Sequence, residues 1–67
     1  MNKVILEFTL KGRKHTYYRR KNIFGEAVTT TNKNSAKKVE ESKVPEIIKL
    51  LERQFGKENI SEFGVTT

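Results

Sequence analysis

Apolar and polar residues alternate from the start of the chain. Val4, Leu6, Phe8 and Leu10 fall on one side of an extended segment, with Ile5, Glu7 and Thr9 on the other. That period of two predicts a half-buried strand over residues 3–10. Lys11-Gly12 suits a turn, because Gly12 reaches positive φ without a Cβ clash. Residues 13–21 then predict the returning strand of a hairpin. With a two-residue loop, Leu10 faces Arg13, Phe8 faces His15, Leu6 faces Tyr17 and Val4 faces Arg19. Tyr17 belongs to the apolar side in this register. Lys14, Tyr18 and Arg20 share the outer face, with Arg13 and Arg19 at the rim. A three-residue loop would exchange the two sides, since register parity decides which face is which.

Asn22-Ile23-Phe24-Gly25 mixes turn residues with two large apolar ones. Residues 26–31, rich in Val and Thr, predict a third strand at a sheet edge. A polar loop over 31–35 follows, then a short helical turn around Ala36-Lys37-Lys38, with Val39 anchoring the connection. The strongest periodicity comes next. Val44, Ile47, Ile48, Leu51 and Phe55 follow the i, i+3, i+4, i+7 spacing of a helix with one buried face, which Leu50 widens. Ser42 is the expected N-cap, Pro45 falls in the first turn, and Gly56 is the expected stop. A last strand over about residues 60–65 would bring Phe63 and Val65 under this helix. The order β-β-β-α-β predicts one α+β domain over residues 1–67: a small antiparallel sheet with one amphipathic helix on one face.

Composition narrows the function more than the fold. A 67-residue chain leaves room for a single core, and without cysteine neither disulfides nor thiolate metal sites can staple it. Dimerisation, or docking on a larger partner, would add buried area. No apolar run approaches the ~18 residues of a membrane span, and a charge follows too soon after the start for a signal-peptide core. A soluble cytoplasmic protein is therefore expected, with no cofactor. One histidine, His15, and no cysteine rule out His/Cys zinc sites and Cys–His catalysis. The four glycines are scattered, without a phosphate-cradling motif. Glu40 and Glu41 are adjacent but lie among Lys37, Lys38 and Lys43, as solvated surface charge does. The residues favour a binding protein over an enzyme.

The net charge of +6 is unevenly spread. Residues 1–38 hold ten Lys/Arg against Glu7 and Glu26, a balance of +8, and residues 39–67 hold four against six Glu, a balance of −2. Between 11 and 21 lie six cations, His15, Tyr17 and Tyr18, and no acid. Such a hairpin has the means to neutralise phosphates and to stack a base on tyrosine. It could also enter a major groove as a two-stranded ribbon. Equally, its charges would keep a small sheet soluble and blunt its edge. The candidate contact residues are Lys11, Arg13, Lys14, Tyr18, Arg19, Arg20 and Lys21. The expected partner is nucleic acid, DNA or RNA, or an acidic surface on a protein that handles nucleic acid.

The stretch from the hairpin through Ala36-Lys37-Lys38-Val39-Glu40-Glu41-Ser42 into the helix resembles the arm-binding domain of phage and transposon integrases. In those domains a three-stranded sheet backed by a helix lies in the DNA major groove. The resemblance implies groove-facing roles for Arg13, Lys14, Tyr18 and Arg20, although this chain adds a C-terminal strand. In size, in Lys/Asn/Ile usage and in its lone amphipathic helix, the chain is also similar to short phage-encoded α/β proteins. That class includes anti-CRISPR inhibitors of Cas nucleases, which implies a host nuclease or nucleoprotein as an alternative partner.

Overall fold

The alternating segments pair as five antiparallel strands, with the helix packed across one face of the sheet. The computed structural model describes residues 2–67. The strands are β1 (Lys3–Leu10), β2 (Arg13–Lys21), β3 (Ala27–Thr30), β4 (Val39–Glu40) and β5 (Ile60–Thr66), and the helix is α1 (Val44–Phe55). β1 is central and pairs with β2, β4 and β5, while β3 lies outside β2 as an edge strand. The α+β architecture is as the pattern predicts. The short strand β4 is an addition to it.

Leu6, Phe8, Tyr18, Ala27, Ile47, Leu51 and Ile60 form the core between sheet and helix. Val44, Ile48, Leu50 and Phe55 flank it from the helix, and Phe63 closes it from β5, its ring 5.9 Å from that of Phe8. The expected helix stripe is thus the buried one. Val65 departs from expectation: it lies beside Leu6 in register but stays 49% exposed.

The helix ends as Gly56 predicts, with φ at 89° and its N–H bonded to the Glu52 carbonyl. Its start differs from expectation. Ser42 is not the cap; it sits in a 3-10 turn, Glu41–Lys43, that runs directly into α1. Val44 N–H bonds to the Glu41 carbonyl, so backbone satisfies a donor that a capping side chain would otherwise serve. The other predicted turn also shifts, from Ala36–Lys38 to Lys33–Ser35, where Asn32 accepts from Asn34 N–H.

Gln54 ties the helix to the sheet edge. Its amide accepts from Ala27 N–H at 2.7 Å and donates to the Ala27 carbonyl at 3.0 Å. The side chain thereby occupies the outward backbone pair of β3, which would otherwise offer itself to another strand.

The hairpin has the two-residue loop, with Lys11 and Gly12 both at positive φ as a type I′ turn requires and Leu10 opposite Arg13. Lys11 N–H bonds to the Asn59 carbonyl, which holds this non-glycine residue in place. Three β-bulges then interrupt the register. Lys14 and His15 together oppose Thr9, with His15 at φ 60°, so Phe8 faces Thr16 and Glu7 faces Tyr17. On the other side of β1, Glu62 at φ 54° is the extra residue opposite Phe8. Arg19 is the third, between Tyr18 and Arg20.

The first bulge overturns the expected assignment of the tyrosines. An extra residue exchanges the faces of everything beyond it. Tyr18 joins Leu6 and Phe8 in the core, and Tyr17 goes to the opposite face beside Glu7. Tyr17 and Ile5 are nevertheless buried. The loop through Lys33–Ser35 packs on β2 and, with Ala36, borders Ile5, so part of the sheet face away from the helix is covered too.

Candidate nucleic-acid interface

The basic residues of β2 separate into two groups. Lys11, Arg13 and Lys14 sit at the turn, and Arg19, Arg20 and Lys21 at the other end, with buried Thr16, Tyr17 and Tyr18 between them. At about 3.3 Å per residue, Arg13 and Arg20 lie roughly 20 Å apart along the strand. They also face opposite ways. Arg13 is registered with Leu10 on the helix side, whereas Arg20 is registered with Val28 on the other. The hairpin therefore offers no single outer face carrying Arg13, Lys14, Tyr18 and Arg20. Tyr18 in particular is a core residue, and its ring is closed to stacking.

A different constellation forms at the Lys21 end. A cleft of about 500 Å³ is floored by Tyr18, Val39, Ile47 and Leu50 and rimmed by Lys3, Lys21, Lys37, Lys38 and Lys43. Glu40 and Glu46 are the acidic residues at its edge. Four segments supply the lysines: β1, β2, the approach to β4, and the turn before α1.

Strand β4 brings them together. Val39 and Glu40 pair with Val4 and Lys3 of β1, while Lys37 N–H reaches the Tyr18 carbonyl of β2 at 3.3 Å. Residues 37–40 thus bond to both strands, bringing Lys37 and Lys38 between Lys3 and Lys21. Val39 packs on the core beneath them. Of these lysines, only Lys21 stands out as a candidate in the sequence. The doublet Lys37-Lys38 before an apolar Val39 is the signal for the others.

Among the described residues no Lys or Arg lies within 4.0 Å of a carboxylate; the one charge pair is His15 Nδ1 with Glu7 Oε2, at 3.1 Å. The cleft cations are therefore free for an outside anion. Burial raises the Tyr18 phenol above its ordinary range, so at neutral pH its hydroxyl is un-ionised and adds no negative charge to the floor.

The Glu7–His15 pair lies on the opposite face, where Thr9 Oγ1 also donates to Glu62 Oε1 at 2.8 Å. Hydrogen bonds from His15 and from the Tyr17 hydroxyl hold the Glu7 carboxyl below the usual carboxylate range, and Tyr17 is correspondingly raised. A carboxylate with a lowered folded pKa stabilises the fold above its unfolded pKa, and this is lost as pH falls through the folded value. Urea midpoints measured from about pH 6 to pH 3 should therefore fall more steeply for the wild type than for Glu7→Gln. The difference should stay under about 1 kcal/mol, because the pair is solvent-screened. Parallel curves would remove the pair from the acid response.

The fold and cleft define a small sheet-and-helix protein with a lysine-rimmed groove. No family model, curated protein or solved structure matches the chain. No helix is long and apolar enough to cross a membrane.

Proposed function

We propose that the protein binds nucleic acid without catalysis, through the lysine cleft and the adjoining Arg19–Lys21 end of β2. The observation carrying this reading is the convergence of five lysines from four segments, unpaired with any carboxylate, over an apolar floor. The five lysines outnumber Glu40 and Glu46 in the cleft and, held in no ion pair, release counterions when phosphates replace solvent ions. The +8 balance of residues 1–38 would speed encounter with any polyanion.

Titration of a labelled DNA or RNA oligonucleotide at ~50 mM salt tests the proposal. Binding is expected, with a log–log salt slope of roughly −3 to −5 for about four to six phosphate contacts. Absence of binding at that salt defeats it. A stoichiometric complex with a nuclease, formed equally well in the presence of competing DNA or RNA, would replace it with the inhibitor reading.

A further inference from the structure

The β2–β3 loop exposes two large apolar side chains next to each other. Ile23 is 93% exposed and Phe24 80%, side by side at the tip. In a chain that is only 34% hydrophobic, two large side chains left in water stand out against a core that would gain from them.

The tip is held in shape. Asn22 Oδ1 accepts from Phe24 N–H at 2.9 Å and from Glu26 N–H at 3.0 Å. Asn22 N–H bonds to the Glu26 carbonyl, Gly25 N–H returns to the Asn22 carbonyl, and Gly25 takes the positive φ of 79° that closes the loop. An aromatic ring on a loop fixed in this way loses little conformational freedom on binding.

The charge around the tip selects its partner. Arg19, Arg20 and Lys21 lead into it, exposed and free of carboxylates, and Lys21 also rims the cleft. The one acid at the tip, Glu26, accepts from Asn22 Nδ2 at 3.2 Å. Lys21 belongs both to the cleft rim and to the segment entering the tip, while Arg20 lies on the other face of the strand. The tip's complement carries flat apolar faces at short intervals along a polyanion. A second copy of this chain, also at +6, offers no such run of anionic groups.

We infer that Phe24 stacks on an unpaired base of a bound nucleic-acid strand, with the Arg19–Lys21 segment and the cleft lysines on the flanking phosphates. This rests on the nucleic-acid reading above and adds a preference to it: strands with accessible bases should bind more tightly than a closed duplex of the same sequence.

The test compares wild type, Phe24→Ala and Phe24→Trp on a labelled single-stranded oligonucleotide and on its duplex. Because the loop is exposed and its hydrogen bonds are backbone and Asn22 bonds, both variants should fold, as circular dichroism would verify. Wild type should prefer the single strand. Phe24→Ala should bind it roughly 5- to 150-fold more weakly, the loss of one base–aromatic stack, at an unchanged salt slope. Phe24→Trp should keep its affinity. As the chain has no other tryptophan, quenching of its fluorescence by the oligonucleotide reports the stack directly.

Wild-type binding with Phe24→Ala unimpaired, or with Phe24→Trp unquenched in the complex, overturns the stacking while leaving the cleft reading in place. Failure of the wild type to bind any oligonucleotide removes both. Binding instead to phosphatidylserine vesicles, lost in Phe24→Ala, would make the tip a lipid contact and also overturn it.

Discussion

Replacing Leu51 with alanine should lower the thermal midpoint by about 10–30 °C and leave much of the protein unfolded at 37 °C. Leu51 is fully buried at the middle of the helix face, among Leu6, Phe8 and Ile47. A buried Leu→Ala change costs about 2–5 kcal/mol, part lost transfer energy and part cavity. Typical per-residue values put the whole stability of a chain this size at roughly 3–10 kcal/mol. Each kcal/mol shifts the midpoint of such a domain by about 4–8 °C. Val65→Ala, half exposed at the β5 edge, should stay within about 0.5 kcal/mol of wild type. Thermal circular dichroism on the two variants checks the packing of α1. Equal, small shifts would mean that the helix does not sit on the sheet through Leu51.

Reversing two charges in the cleft should do the opposite, abolishing binding while sparing the fold. If the cleft binds nucleic acid as proposed, Lys37→Glu with Lys38→Glu would remove two phosphate contacts. At about 0.9 per contact on the log–log scale, two contacts are worth roughly 60-fold in affinity at 0.1 M salt relative to 1 M, before any repulsion from the new carboxylates. The salt slope should become shallower by about two. Both lysines are exposed and unpaired, so stability should change by no more than about 0.5 kcal/mol. The matching reversal at the hairpin turn, Arg13→Glu with Lys14→Glu, should weaken binding far less. If the turn variant loses binding and the cleft variant keeps it, the interface belongs at the turn.

The helix was legible in the sequence because a 3.6-residue stripe depends on spacing alone, and Val44 to Phe55 carries it without interruption. The first hairpin was legible to its two-residue loop. Beyond the loop, legibility stopped at His15. A bulge adds one residue without any change in composition, so the alternation in Thr16-Tyr17-Tyr18 fits either face, and an unbulged ladder puts Tyr18 on the outer one. β4 is illegible for another reason. Two residues, Val39 and Glu40, are too few to show a period, and lysines precede them. The cleft followed from that omission: its lysines are spread from Lys3 to Lys43 and meet only once residues 37–40 bond to both β1 and β2. The basic hairpin was a fair guide to charge and a poor guide to geometry, since its cations divide between two ends.

The bulges at His15 and Glu62 carry a consequence for how this chain can change over time. They flank Phe8 on both neighbouring strands, and each sets the phase of all the residues after it. Straightening the ladder at His15 without changing its length would pair Leu6 with Tyr17, turning Tyr17 inward and Tyr18 outward and stripping the core and the cleft floor together, whereas loss of Lys14 or His15 would remove the bulge and leave Glu7 opposite Tyr17. Substitutions at the exposed cations leave that phase untouched. Descendants of this sequence should therefore vary freely in the identity of those residues, and the one length change they should tolerate between Leu10 and Tyr18 is loss of a single residue at the bulge, Lys14 or His15.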